Sequence, residues 1–342
     1  MQVGLIGTGH AARLRADALQ GEPRAELIVV AGHDLERTQV FSQPYGAIAC
    51  DSWHALIARS DVDLVVIATI NRDHGAIAQA ALKAGKHVVV EYPLALDIAE
   101  AETAIAIAKV KQKLLHVEHI ELLGGVHQAL KASLAQIGDP FFARYVTLKP
   151  ERPAPQRWSY SLKDFGFPLV GALSRLHRLI DLFGEVASVT CQTQFFPPSS
   201  TFCDDATRSA FVTHPSSLVT SYYSTCLCTA HLRFKSGLLA EVTYGKGEAL
   251  WQAKRTFEVQ GKTGALIFEG EQGTLIRAEG SEAIAIGSRR GLFAKDTAMV
   301  LDHLTIGTPL YITPEASLDT LKVANAAKQS AATGNTVEID FF

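Results

Sequence analysis

The sequence predicts an α/β Rossmann N-terminal domain followed by an α+β C-terminal domain built on a large antiparallel sheet. Three observations predict it. Short β-branched runs alternate with helical segments in the first third of the chain. A glycine turn stands between the first run and the first helix. Beyond about residue 140, strands follow one another through glycine-containing hairpin turns. A length of 342 residues suits two domains, expected at 1–121 and 122–342.

The elements follow in order. Val3–Ile6, Leu27–Val30, Asp63–Ile67, His87–Val90 and Leu114–Val117 are the strand candidates of the first domain. Their continuous apolar character, with helices between them, indicates a parallel sheet covered on both faces. Asp97 and Glu100 open a helix to Lys111 with capping-box spacing. Gly85 stops the helix that ends at Ala84. Phe141–Leu148 alternates like a half-exposed strand, and Pro150, Pro153 and Pro155 follow it. A helix is expected around Leu169–Phe183. Then Lys235-Ser236-Gly237 separates Cys228–Phe234 from Leu238–Tyr244, and Gly261–Gly264 separates Thr256–Val259 from Ala265–Phe268. Gly270–Gly273 leads into Thr274–Arg277. A last helix starts at Thr313-Pro314-Glu315 and runs to about Ala332. Pro197–Ser217, rich in Ser, Thr and Pro, is expected to be the least ordered segment.

Composition narrows the function classes. Hydrophobic residues make up 47% and charged residues 20%, which supports full cores. A net charge of −3 offers no general basic field, so neither nucleic acid nor an anionic membrane is an expected partner. No run approaches the roughly 18 apolar residues of a membrane span, and Met1-Gln2 enters the first strand without a leader. The five cysteines (Cys50, Cys191, Cys203, Cys226, Cys228) are odd in number and scattered, which suits reduced thiols and a cytoplasmic location. Cys226 and Cys228 lack the second pair that a metal site needs, and His116-Val117-Glu118-His119 is not a zinc spacing, so no metal is expected.

Gly7-Thr8-Gly9-His10-Ala11-Ala12 reads GxGxxA after a strand and before a helix, the context of a dinucleotide site. Gly7 permits the turn, Gly9 admits a pyrophosphate, the helix N-terminus offers free N–H groups, and Ala12 allows close packing. Strand two ends Val30-Ala31-Gly32-His33-Asp34-Leu35-Glu36-Arg37, with Gly32 where an NAD site usually carries a carboxylate. Glycine does not repel a 2′-phosphate, and His33 and Arg37 can approach one. The cofactor expected is therefore NADPH, with NADH weaker. The alternative is that Asp34 takes the carboxylate's role and Arg37 is a solvated helix residue. Thr69-Ile70-Asn71 and Glu91-Tyr92-Pro93 lie at the carboxyl ends of strands, where ligands of such sheets bind; His74 is a further candidate there.

The glycine turn, the E-x-P turn at Glu91–Pro93, the antiparallel second domain and the closing segment resemble the glucose–fructose oxidoreductase and inositol dehydrogenase family over nearly the whole chain. The resemblance implies a proton relay of Lys in E-K-P plus Asp and His four apart on a helix. Counted back from Gly184, those positions here hold Tyr92, Gly171 and Arg175. Gly171 carries no proton, arginine stays charged, and an unperturbed tyrosine titrates near roughly 10. Abstraction of a sugar hydroxyl proton is not supported by this set.

Within the family the chain resembles the biliverdin reductase branch, in its cyanobacterial form. The strings that carry this are Ala68–Asn71, His74–Ala78, Gly85–Val89, Glu91–Leu96, Leu114–Gln128, Ala154–Trp158, Phe165–Val170, Tyr244–Glu248 and Ser288–Phe293. The resemblance implies NADPH-dependent reduction of biliverdin IXα to bilirubin, with hydride transfer to the C10 methine at the junction of the two domains. It marks Arg175 as the catalytic residue; Tyr92, which can stack on or hydrogen-bond the pigment, and His119, read as a cleft residue, are the other catalytic candidates. Trp158, Phe167 and Arg178 are expected to bind the pigment, the rings as an apolar wall and the arginine at a propionate. Arg157, Arg289 and Arg290 are other propionate candidates. Two other readings use the same loss of the relay: a reductase of another carbonyl or sugar-like substrate, and a non-catalytic NADP-binding sensor. The oligomeric state is not predicted.

Overall fold

Six parallel strands form the first sheet: β1 (Gln2–Ile6), β2 (Glu26–Ala31), β3 (Ile48–Cys50), β4 (Leu64–Ile67), β5 (His87–Glu91) and β6 (Leu115–Glu118). The structure is a computed structural model and describes residues 1–198 and 222–339. The expected least ordered segment, Pro197–Ser217, lies almost wholly outside the described residues, as does Cys203. Strand order is β3-β2-β1-β4-β5-β6, so the direction of winding reverses between β1 and β4. That reversal leaves a crevice at the carboxyl ends of the strands. β4, a continuous apolar strand, is buried at every position, and so is β6, which carries the polar His116 and Glu118. The sequence pattern missed β3, which has three residues and no fully buried one.

Asp97 caps the helix Ile98–Lys111, its side chain accepting from the amides of Ala99 and Glu100. The helix His74–Lys83 ends at Ala84, and Gly85 takes the positive φ of 77°.

The chain divides into two compact units, residues 1–120 with 289–318, and 121–288 with 319–342. The expected second domain is thus interrupted. The helix Leu292–Ile306 groups with the first unit because it packs on the helix His10–Gln20.

The second unit holds a nine-stranded sheet: β7 (Pro140–Pro150), β8 (Val186–Phe196), β9 (Thr225–Phe234), β10 (Leu239–Gly247), β11 (Lys254–Gly261), β12 (Gly264–Glu269), β13 (Gln272–Arg277), β14 (Gly280–Ile284) and β15 (Val337–Glu338). Its order is β14-β13-β12-β11-β7-β10-β9-β8-β15. Every junction is antiparallel except β7 with β10. The sheet is therefore mixed though mostly antiparallel, because the β9–β10 hairpin returns the chain beside β7 in β7's own direction. Gly237 makes the β9–β10 turn at φ 90°. The single helix expected around Leu169–Phe183 is two, Pro168–Gly171 and Ser174–Phe183, broken where Ala172 leaves helical geometry (φ −108°, ψ 37°).

Candidate active site

In the first unit the glycine turn is built for a close ligand. Gly7 has φ 127°, its amide donates to the Ala31 carbonyl at 2.8 Å, and a Cβ there would run into the Ala68 carbonyl. A Cβ at Gly9 would meet nothing within 4 Å, so the space beside this backbone is open. Gly9 caps the helix His10–Gln20 with no side-chain hydrogen bond, leaving its first amides for an anion. Thr8, Gly9, His10 and Ala11 border this space, whereas Ala12 is fully buried under the helix.

At the end of β2, a side chain on Gly32 would collide with Thr38 Oγ1. Asp34 caps the helix Leu35–Ser42, accepting from the Arg37 amide at 2.8 Å. His33 and the Arg37 side chain are exposed there. A carboxylate is thus sterically barred from position 32, and the nearest acid is engaged with its own helix.

The ends of β4 and β5 are clasped together by His74. This residue is buried, with Nδ1 2.8 Å from the Pro93 carbonyl and Nε2 3.3 Å from that of Thr69. Burial holds its pKa below the usual value, against the two carbonyls, which favour the charged ring. His74 positions Thr69 and the Tyr92-Pro93 turn and does not face outward. Asn71 is likewise buried.

Beneath the turn lies an ionic network that the sequence did not reveal. Arg15, buried in the first helix, donates from Nε to Glu91 at 2.8 Å and pairs with Asp296. Asp296 also accepts from Tyr311 and meets His116 Nε2, both at 2.8 Å. Although burial opposes it, Arg15 and His116 hold the Asp296 carboxyl well below the usual carboxylate range. Glu118 behaves oppositely. Burial and then the neighbouring Glu91, to which it hydrogen-bonds, push it well above that range. The Ile120 amide donates to the Glu118 carboxyl.

Tyr92 is half-buried and stacks on His119, ring centroids 5.2 Å apart and 10° from parallel. His119 is buried at 1% exposure, with Nε2 3.0 Å from Ser317 Oγ and its amide donating to Tyr311 at 3.1 Å. It therefore backs Tyr92 and does not line an open surface.

In the second unit the helix Ser174–Phe183 carries both arginines. Arg175 is half-buried, with its guanidinium 5.4 Å over the Tyr244 ring and a 2.9 Å bond to Ser174 Oγ. Arg178 is 2% exposed, ion-paired with Glu121 and 5.8 Å from the Tyr145 ring. It is committed within the fold and is poorly placed for a propionate. Trp158 is exposed and 5.9 Å from Phe165, whereas Phe167 is 5% exposed and belongs to the core. Arg157 pairs with Glu151 at 3.0 Å. The missing relay has a steric counterpart: any Cβ on Gly171 would enter the Phe165 ring. Beside that ring, Lys246 sits 3.7 Å from its centroid within a box completed by Tyr160, Tyr223 and Tyr244. Burial lowers its pKa to about 8.

Two family models match the chain. Residues 1–119 fit the oxidoreductase family with an NAD-binding Rossmann fold, and residues 133–339 fit the C-terminal α/β domain of the same family. The chain belongs to this oxidoreductase family. Within it, the crystal structure of biliverdin reductase from Synechocystis sp. PCC 6803, solved with biliverdin and NADP+, is 49% identical. It covers 96% of this chain and 98% of its own, with a TM-score of 0.87. Mouse biliverdin reductase A is 30% identical over 54% of this chain and 59% of its own length, so the match spans under two thirds of that relative. The 1,5-anhydro-D-fructose reductase of Ensifer adhaerens is 25% identical over 98% of both chains. The family thus contains reductases of quite different substrates, and its fold alone does not choose among them.

Proposed function

We propose that this oxidoreductase reduces biliverdin IXα to bilirubin with NADPH. The observation that carries the reading is the replaced relay: Tyr92, Gly171 packed on Phe165, and Arg175 stand where a sugar dehydrogenase of this family needs groups that exchange protons. The full-length likeness to the Synechocystis enzyme supports it.

Gly7, Gly9 and the uncapped helix N-terminus suit a pyrophosphate, and Gly32 with His33 and Arg37 suits a 2′-phosphate. When bound, NADPH supplies a hydride to the C10 methine. Negative charge then builds on a pyrrole nitrogen, and a fixed guanidinium at Arg175 stabilises it. Arginine does not release its proton in the working range, so Arg175 would stabilise the charge while the proton that this nitrogen takes up comes from the solvent pool. Tyr92, held flat by His119, offers a ring face for the pigment.

A spectrophotometric assay with NADPH and biliverdin tests this. Loss of the biliverdin absorbance with growth of a bilirubin band is expected. NADPH binding without turnover would instead leave the sensor reading standing, and turnover of a sugar-like carbonyl alone would overturn the pigment assignment.

A further inference from the structure

One lysine of the second unit is buried, where lysines are rarely found. Lys246 stands near the end of β10 and is 5% exposed. Tyr244 and Lys246 are two apart on that strand and share one face. Four rings surround the ammonium, with centroids 3.7 Å (Phe165), 4.9 Å (Tyr160), 5.7 Å (Tyr223) and 6.0 Å (Tyr244) from Nζ. Nζ donates to the Ser159 carbonyl, which also accepts from the Tyr223 hydroxyl at 3.3 Å. The nearby carboxylate, Glu151, is taken by Arg157 and by the Tyr160 hydroxyl, each at 3.0 Å. A buried ammonium held by rings and a carbonyl costs stability, and a methionine would fill the same box without that cost. The residue type is therefore explained by what its charge and its donor hold in place.

What they hold is one short segment. Ser159 lies in the turn Trp158–Tyr160, whose Tyr160 carbonyl accepts from the Tyr223 amide at 3.0 Å. Trp158 is 37% exposed and packs on Phe165, ring centroids 5.9 Å apart. Lys246 thus touches both supports of Trp158, the carbonyl of the next residue and the ring beside it. Arg175 shares the Tyr244 ring with Lys246, at 5.4 Å.

We infer that Lys246 is a positioning residue, which holds the Trp158 ring as a fixed wall for the pigment and takes no part in hydride or proton transfer. The inference rests on the function proposed above and deepens it: pigment affinity depends on a residue that the pigment need not touch.

The hold is titratable. Burial lowers the Lys246 pKa to about 8, with Lys149 and Arg157 acting the same way and Cys226 and Glu151 against it. Above that pH the amine is neutral, loses its attraction to the ring faces and donates more weakly to Ser159. Burial pushes Tyr160, Tyr223 and Cys226 above their usual values, so they keep their protons there. Lys149, opposite Lys246 across the β7–β10 pair, is also held low by burial, and variants at 246 separate the two.

The test uses Trp53→Phe with Trp251→Phe as background, which leaves Trp158 as the one tryptophan. Lys246→Met and Lys246→Gln are compared in it. Acrylamide quenching of Trp158 should rise about twofold in both, and the Michaelis constant for biliverdin about tenfold with kcat within about twofold. In the background, quenching and Michaelis constant should both step upward near pH 8, and the step should be missing from the variants. The unfolding midpoint of Lys246→Met should not fall. A step that survives in the variants, unchanged quenching, or a kcat that falls as far as the Michaelis constant rises would overturn the inference. So would failure of both variants to fold, which would make Lys246 structural. If the protein turns over no biliverdin, the proposed activity falls by itself, and Trp158 quenching with its pH step decides the positioning role alone.

Discussion

The two units treat buried charge in opposite ways. Beneath the Glu91 turn of the first unit, Arg15 meets Glu91 and Asp296, Asp296 also takes Tyr311 and His116, and Glu118, raised well above the usual carboxylate range, lies against Glu91. On the sheet face of the second unit, Arg178, Arg175 and Arg255 act together on buried Tyr145, and Arg178 and Arg255 pair with Glu121. The difference separates two uses of ions. Satisfied charges fix a backbone; here they fix the ends of β5 and β6, from which the Tyr92 turn and His119 project. The second unit's arginines instead lie over tyrosine rings, Arg175 over Tyr244 and Arg178 over Tyr145.

The contrast can be broken most directly at Arg15. Replacing it by methionine leaves Glu91 and Asp296 without their buried cation and should cost about 3–5 kcal/mol in a denaturant titration. Adding Asp296→Asn to that variant should recover part of the loss. A cost below about 1 kcal/mol would mean that the first unit's ions do not fix its backbone. Next in size, Arg175→Ala should lower turnover about 100- to 1,000-fold, the range for loss of one stabiliser of developing charge. NADPH binding and unfolding midpoint should hardly move. A parallel loss of stability would mark Arg175 as a structural residue, like Arg15. The smallest effect belongs to Arg37, an exposed cation of the first unit. Arg37→Ala should raise the Michaelis constant for NADPH about tenfold and leave that for NADH alone. An equal change for both cofactors would remove it from the 2′-phosphate.

How much of this was legible depends on how local each signal is. The glycine turn, the caps at Asp97 and Gly85 and the hairpin at Gly237 are set by neighbouring residues and by backbone angles that few residues adopt. They appear in the sequence as they do in space. β3 is too short to show a period. The parallel β7–β10 pair and the return of residues 289–318 to the first unit depend on long-range packing, which no window of sequence contains. The same holds for the site. Arg15 and Asp296 are 281 positions apart, and neither stands in a motif. Glu118 did carry a signal, an acid closing an otherwise apolar strand, though its bond to Glu91 needed the register of β5 with β6. His119 and Phe167 were expected to line a cleft and are buried instead, because ring type does not tell whether a side chain faces solvent or core.

The contact between Gly171 and Phe165 ties the two positions together: an acid at 171 and this ring exclude one another. Placing the acid alone drives it into the ring, and shrinking the ring alone opens a hole beside Lys246. A carboxylate can therefore be placed at 171 only by changing both residues at once.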